Sequence, residues 1–177
     1  MLPEPPVPLI LTLTLDAAAQ AFFDRLRQQH FPPERNYLAA HLTLFHHLSS
    51  PELPNLLEQL REEAHQTPPL PLTVASLLFM GQGVAYRCEN EQLLDLHRRL
   101  QRSWGPTLTP QDRQPLRPHV TVQNKVAAPR ARALFEQLSA DFTAFQATGQ
   151  GLHLWAYRGG PWESLAEFAL EGPAARQ

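Results

Sequence analysis

Cysteine and lysine are scarce in this sequence of 177 residues, and neither charge sign dominates it. The single cysteine, Cys88, cannot form a disulfide within the chain, and a thiolate zinc site needs more than one cysteine. The 15 basic and 17 acidic residues give a net charge of −2, which excludes a protein that coats nucleic acid through overall positive charge. We therefore expect a protein of a reducing, cytoplasmic compartment.

A long apolar run is also missing. The most apolar stretch near the N-terminus, residues 7–15, is interrupted by Thr12 and Thr14 and has no basic residues before it. It is much too short to cross a bilayer, which takes about 20 apolar residues, and it does not match a secretory signal peptide. The sequence predicts no membrane association.

Hydrophobic residues make up 43% of the chain, which is enough for a folded core. Hydrophobic periodicity and turn residues predict the order strand, helix, strand, helix, two strands, helix, strand, helix, two strands. This order is a rough duplication. It predicts a single α+β domain over residues 1–177 with two similar lobes, each an antiparallel sheet with helices on its outer side, related by a pseudo-twofold about a central cleft.

Two short motifs distinguish the sequence from that of an ordinary α+β domain. Chance alone would give about 0.02 His-x-Thr triplets with an aliphatic residue at x and another after the threonine. The chain has two such segments, His41-Leu42-Thr43-Leu44 and His119-Val120-Thr121-Val122. Because side chains alternate along a strand, each histidine shares a face with its threonine while the aliphatic residues face the core.

Two such strands facing one cleft would bring two imidazoles and two hydroxyls together. Near neutral pH one imidazole can accept a proton while the other donates one, which suits general acid–base catalysis. The hydroxyls can donate hydrogen bonds to the oxygens of a phosphate held between the rings. Phosphodiester transesterification or hydrolysis needs this set of groups and no metal or other cofactor.

The paired motifs, about 80 residues apart, resemble those of the 2H phosphoesterase superfamily, and within it the 2′-5′ RNA ligase-like and 2′,3′-cyclic phosphodiesterase branch. The resemblance implies a bilobal enzyme acting on cyclic phosphates or 2′-5′ linkages of RNA ends or nucleotides. By position, it implies catalytic roles for His41 and His119 and phosphate contacts for Thr43 and Thr121. We expect a monomer with RNA ends or nucleotides as its partners.

Four further residues are predicted to bind substrate. Many ligase-like relatives carry an arginine shortly after the second motif, where this chain has Gln123-Asn124-Lys125, so Lys125 is the candidate for the missing charge. Phe45 lies two residues beyond Thr43 and would share its face on a regular strand, where it could stack on a base or a ribose; packing in the core is the alternative for this side chain. Tyr157 and the nearby Arg158 could line the cleft from the predicted hairpin of residues 150–158 and 162–170.

Several alternatives remain open from the sequence. The same groups could join RNA ends through a 2′-5′ bond as the main reaction, or the cleft could hold RNA ends or nucleotides without turning them over. The histidines could also be satisfied core residues of a structural domain. A metal site built from His41, His46 and His47 is not expected, because the three do not share one face of a strand and no carboxylate accompanies them.

Overall fold

The computed structural model describes residues 6–173, which contain seven β-strands and four α-helices. The strands are β1 (Leu9–Leu15), β2 (Leu42–Leu48), β3 (Leu70–Phe79), β4 (Val84–Glu89), β5 (His119–Gln123), β6 (Phe145–Ala156) and β7 (Glu163–Ala169). The helices are α1 (Ala17–His30), α2 (Leu53–Gln66), α3 (Glu91–Trp104) and α4 (Ala128–Ala140). The predicted α+β class is confirmed.

The first helix forms where the sequence predicts it. The Asp16 side chain accepts a hydrogen bond of 3.0 Å from the amide of Ala19, which satisfies one of the unpaired amides of the first turn. The same carboxylate accepts a bond of 2.6 Å from the amide of Thr148 on β6. Asp16 therefore caps α1 and also ties the start of the helix to the sheet.

All strand pairs are antiparallel, and the order is β2-β1-β6-β3-β4-β5, with β7 also pairing with β6. β6 is long enough to serve both halves of the sheet: its first residues pair with β3 and its later residues pair with β1 and β7. β6 thus joins the strands of the two predicted lobes into one sheet. β2 and β5, at opposite ends of this order, also contact each other, so the sheet bends round on itself.

Two of the helices pack on strands that belong to the other half of the chain. α1 contacts β5, and its Phe22 and Phe23 rings lie edge-on to Tyr86 of β4 at centroid distances of 5.8 and 5.5 Å. In the opposite direction, His97 of α3 stacks on Phe45 of β2 at 4.4 Å. The two motif strands are therefore each covered by a helix from the other half of the chain.

The core is built from aliphatic and aromatic side chains on the inner faces of the strands and helices. Cys88 lies within it, and burial raises the pKa of its thiol to about 12, so the thiol stays protonated. No helix of residues 6–173 combines the length and the apolarity that crossing a membrane would take.

Candidate active site

One cleft brings together the histidine and threonine of both motifs. His41, Thr43, His119 and Thr121 all line a cavity of about 390 Å³ between β2 and β5. All four residues are half-buried, while the aliphatic residues of both motifs are fully buried. The period-two alternation of a strand accounts for this division, since each histidine shares a face with its threonine.

The two imidazoles are oriented in the same way by the backbone that precedes them. The Nδ1 atom of His41 lies 2.8 Å from the carbonyl oxygen of Ala39, and the Nδ1 atom of His119 lies 2.8 Å from that of Arg117. A carbonyl can only accept a hydrogen bond, so each Nδ1 carries a proton. Each Nε2 is left for a ligand, and the matching contacts extend the pseudo-twofold from the motifs to the loops before them.

The surroundings of His41 favour its neutral form. Burial lowers the pKa of His41 to about 4, against the opposing effect of the Ala39 carbonyl. Coulombic repulsion from Arg27, His119 and His46 also contributes to this lowered value. The His41 ring is therefore neutral at pH 7, with a lone pair on Nε2.

A β-bulge interrupts the first motif strand directly after Thr43. Between Thr43 and Phe45 the pairing advances two residues on β2 but only one on β1. The extra residue reverses the alternation, so that Leu44 and Phe45 are both buried and His46 is exposed. His46 consequently lines the same cleft as the two motif histidines.

Phe45 does not contact the cleft, and its predicted role in substrate binding is wrong. Its side chain is fully buried, stacks on His97 at 4.4 Å and lies edge-on to Trp104 at 5.1 Å. The prediction assumed an uninterrupted strand, whereas the bulge turns Phe45 to the core face.

The second motif strand carries the same irregularity at the same place. The pairing of β5 with β4 shifts between Thr121 and Gln123, so that Val122 and Gln123 are both buried. Asn124 then lines the cleft, five residues after its motif histidine as His46 is five residues after His41. The bulge therefore belongs to the duplicated unit, and His46 and Asn124 occupy equivalent places.

A buried side chain from a helix also holds each motif strand. The guanidinium of Arg27 on α1 donates a hydrogen bond of 3.1 Å to the carbonyl of Thr121. On the other strand, Nε2 of His97 on α3 lies 2.9 Å from the carbonyl of Leu44. These contacts satisfy backbone groups beside the cleft and fix the strands that carry the imidazoles.

The remaining sequence-predicted binding residues divide into two groups. Tyr157 lines the cleft with 43% of its surface exposed. Arg158 is exposed and forms an ion pair of 2.6 Å with Glu163 across the β6–β7 hairpin, and it is not among the residues lining the cleft. Lys125 is exposed in the bend after β5, with a φ of 62°, and it does not line the cleft either.

Sequence reasoning missed two further cleft residues. The Trp162 ring, on the hairpin before β7, lies 4.7 Å from the His41 ring and covers one side of it. Met80 lies in the turn between β3 and β4, and its sulfur accepts a hydrogen bond of 3.8 Å from the Thr121 hydroxyl. Neither residue lies near a motif in the sequence, so no local pattern marks them.

Two smaller spaces adjoin the central cleft. One, of about 360 Å³, lies beside His41 and is walled by the aromatic rings of Tyr37, Trp155 and Trp162. The other, of about 380 Å³, lies beside Thr43 and His119. The cleft is therefore part of a longer groove that passes both motif histidines.

Metal-ligating side chains are not clustered in residues 6–173: no group of three or more histidine, cysteine, aspartate or glutamate side chains there has the geometry to hold an ion.

The comparisons with known proteins agree with this arrangement. The sequence profile of the 2′-5′ RNA ligase superfamily matches residues 15–161. The crystal structure of TT0787 of Thermus thermophilus is similar, with a TM-score of 0.68 and 19% identity over 94% of this chain and 100% of that chain. E. coli LigT complexed with 3′-AMP has a TM-score of 0.60 and 20% identity over 94% of this chain and 99% of that chain. E. coli LigT complexed with NADP+ has a TM-score of 0.55 and 22% identity over the same shares. No curated protein matches at a significant level.

An antiparallel α+β fold whose motif strands bring paired histidines and threonines to one cleft defines the class of 2H phosphoesterases. Since the sequence profile matches most of its length, the chain belongs to the 2′-5′ RNA ligase superfamily within that class. This membership supports a function of the phosphoesterase type.

Proposed function

We propose that the protein is a metal-independent phosphodiesterase that opens 2′,3′-cyclic phosphates of RNA ends or nucleotides. The observation that carries this proposal is the single cleft lined by His41, Thr43, His119 and Thr121, with both rings held through Nδ1. We also propose that it acts as a monomer, since a single chain carries both motifs.

His41 is the general base of the proposed reaction. Its lowered pKa keeps Nε2 unprotonated, so this atom accepts a proton from a water molecule as the water oxygen attacks phosphorus. The new phosphorus–oxygen bond forms as the bond to one ribose oxygen breaks. His119 is the proposed general acid: in its imidazolium form it donates the Nε2 proton to the departing oxygen while Nδ1 stays bonded to the Arg117 carbonyl, so one proton is given up as another is taken.

Thr43 and Thr121 stabilise the charge that develops on the nonbridging phosphate oxygens. The Thr121 hydroxyl lies 3.8 Å from the Met80 sulfur, a weak acceptor whose place a phosphate oxygen would take. Removing one such hydrogen bond typically lowers turnover by about 100- to 1,000-fold.

The aromatic space beside His41 suits the base of the bound nucleotide. Trp155 and Trp162 present large rings there, and Tyr37 is 62% exposed at its rim. Stacking on aromatic rings contributes about 1–3 kcal/mol per base and tolerates different bases. The expected substrate therefore includes a nucleobase next to the cyclic phosphate.

The test is hydrolysis of adenosine 2′,3′-cyclic phosphate by the purified protein with EDTA present. We expect turnover by the wild type and a loss of about 100- to 10,000-fold in His41→Ala and in His119→Ala. His65→Ala is the matched control, because this histidine is far more exposed, with 83% of its side chain accessible on α2.

Three outcomes would contradict the proposal. Full activity of both motif variants would remove the histidines from the mechanism. Loss of activity in EDTA with recovery on adding a divalent ion would point to metal catalysis. Formation of a 2′-5′ bond between RNA ends, with no hydrolysis of the cyclic phosphate, would make ligation the main reaction.

A further inference from the structure

The buried carboxylate of Asp112 is aimed at the bulge of β2. Its Oδ1 accepts a hydrogen bond of 2.8 Å from the His46 amide, and its Oδ2 accepts one of 2.8 Å from the His47 amide. The Nδ1 atom of His46 lies 3.3 Å from Oδ1. Only 1% of the Asp112 side chain is accessible, whereas 45% of the His46 side chain is, so the carboxylate is behind the imidazole and away from solvent.

Asp112 carries its negative charge at neutral pH. Burial alone would raise its pKa, but hydrogen bonds from the His46 side chain and from the His46 and His47 amides outweigh this effect and hold the pKa below its ordinary value. Because Nδ1 of His46 faces the carboxylate, Nε2 lies on the far side of the ring, which lines the cleft.

The cleft otherwise has little permanent positive charge. None of the described residues that line its central part is a lysine or an arginine. Lys125, expected from the sequence to supply this charge, does not line the cleft, and the neutral Asn124, directly after β5, occupies the place equivalent to His46. Apart from the two motif histidines, His46 is the one residue among the described lining of the central cleft that can carry a positive charge.

We propose that His46, backed by Asp112, is the phosphate-binding cation of the cleft and makes substrate binding dependent on pH. This rests on the proposed function in taking a cyclic phosphate as the ligand. The Asp112 carboxylate favours a proton on Nδ1 and lets Nε2–H donate a charge-assisted hydrogen bond to a nonbridging phosphate oxygen. His46 is thus a binding residue, whereas proton transfer stays with His41 and His119.

Several charged and titratable groups face the same region from the neighbouring elements. They are Asp112 and Arg117 on the loop before β5, His97 on α3, His41 on the β2 side, His119 on β5 and Tyr157 after β6. The midpoint of a pH dependence therefore does not identify the group responsible for it, and only substitution of His46 can assign the effect to that residue.

The test is calorimetric binding of adenosine 2′,3′-cyclic phosphate to protein carrying His119→Ala, which slows turnover and removes one of the other imidazoles of the cleft. This ligand keeps one negative charge throughout the neutral range. We expect its affinity to fall by about tenfold between pH 6 and pH 8, as an imidazole loses its proton. With His46→Gln added, the affinity at both pH values should equal the weaker one expected at pH 8. With His46→Lys added, it should equal the stronger one expected at pH 6 at both pH values.

His47→Gln is the matched control, because its exposed side chain is not among the residues lining the cleft and only its backbone amide contacts Asp112. Asp112→Asn should weaken binding at pH 6. If this variant melts at a much lower temperature, the His46 substitutions carry the test alone. In the otherwise wild-type enzyme, His46→Gln should raise KM about tenfold and leave kcat nearly unchanged.

Unchanged affinity in His46→Gln at pH 6 would overturn this inference, as would a failure of the cyclic phosphate to bind at either pH. A loss in kcat with unchanged KM would instead make His46 part of the chemical step and would also overturn it. The outcome is separable from that of the proposed function: binding that depends on His46 without turnover by the wild type removes the hydrolysis proposal only. Turnover with binding that ignores His46 removes this inference only.

Discussion

His41 and His119 have the same backbone contact but different surroundings. Each ring donates from Nδ1 to a carbonyl two residues earlier in the chain. His41 is in addition close to the buried cation Arg27 and beneath the Trp162 ring. The identical motifs therefore do not imply identical roles, because the neighbours of a ring decide whether it holds a proton at pH 7.

This difference predicts the acid limb of the activity profile. A general base works only when it is unprotonated, and His41 gains its proton only as the pH falls through about 4. We expect kcat/KM for a cyclic nucleotide to stay high below pH 6 and to fall only towards pH 4. A profile measured from pH 3.5 upwards in a buffer of constant ionic strength checks this. The apparent pKa values that it gives belong to His41 and His119 as an interacting pair. An acid limb at about 6.5, the value of an unperturbed histidine, would contradict the assignment of His41 as base.

At the scale of the secondary-structure elements, the paired bulges decide which side chains enter the cleft. On β2 the bulge buries Phe45 and exposes His46, and on β5 it buries Gln123 and turns Asn124 towards the cleft. The shifts in strand pairing directly after the two motif threonines therefore change which side chains enter the cleft without any change in the motifs themselves.

The burial of Phe45 leads to a stability prediction. Phe45→Ala removes a ring that packs on His97 and Trp104, so we expect the free energy of unfolding to fall by about 3–5 kcal/mol. The KM of the folded variant should change little, because the ring does not line the cleft. Tyr157→Ala is the comparison, since this exposed cleft residue should affect KM and hardly affect stability. Urea unfolding measures the stability and steady-state kinetics measure KM. A raised KM with unchanged stability in Phe45→Ala would show that Phe45 binds substrate and does not stabilise the core.

The contact of α1 with β5 leads to a second prediction at this scale. Arg27 is buried, with 4% of its surface exposed, and its guanidinium donates to the Thr121 carbonyl and to Asn36. Arg27→Met leaves that carbonyl without its donor, which should cost about 1–3 kcal/mol of stability.

The same substitution also removes a positive charge that lowers the pKa of His41. The acid limb of kcat/KM should therefore move to higher pH in Arg27→Met, a change that a purely structural contact would not produce. Arg98→Met is a suitable control, because Arg98 lies exposed on α3 in a surface ion pair with Asp95. An unmoved acid limb in Arg27→Met would show that this arginine acts on stability alone.

At the scale of the whole molecule, the charge distribution limits how the protein can hold RNA. The net charge is −2, and no lysine or arginine is among the described residues lining the central cleft. Proteins that neutralise 6–10 phosphates lose about 1,000- to 100,000-fold in affinity between 50 and 200 mM salt. A net charge of −2 does not indicate a footprint of that kind.

We therefore expect a shallow salt dependence for any RNA end that the protein recognises. For an oligonucleotide ending in a 2′,3′-cyclic phosphate, kcat/KM should fall by less than about tenfold between 50 and 200 mM salt. The cyclic mononucleotide should show a similar slope, since both make their contacts at the terminal phosphate and its base. A much steeper slope for the oligonucleotide would reveal an extended backbone contact outside the cleft.

Much of the fold and the centre of the site follow from local patterns in the sequence. Alternation within a strand is set by the backbone, so the motifs alone place each histidine on one face with its threonine. The helix after Asp16 begins with a residue whose side chain caps it, and that too is a local property. These features need no knowledge of the partner strands.

The rest of the site was decided by contacts between distant parts of the chain. The bulge that exposes His46 exists only in the pairing of β2 with β1, and the carboxylate behind it comes from Asp112, on a loop in the other half of the chain. Trp162 reaches His41 only because β6 and β7 pair beside β1. A sequence pattern records which side a residue favours along its own strand. Register, burial and neighbouring charge arise only when strands pair and helices pack. They set the pKa of His41 and determine which side chains lie beside it in the cleft.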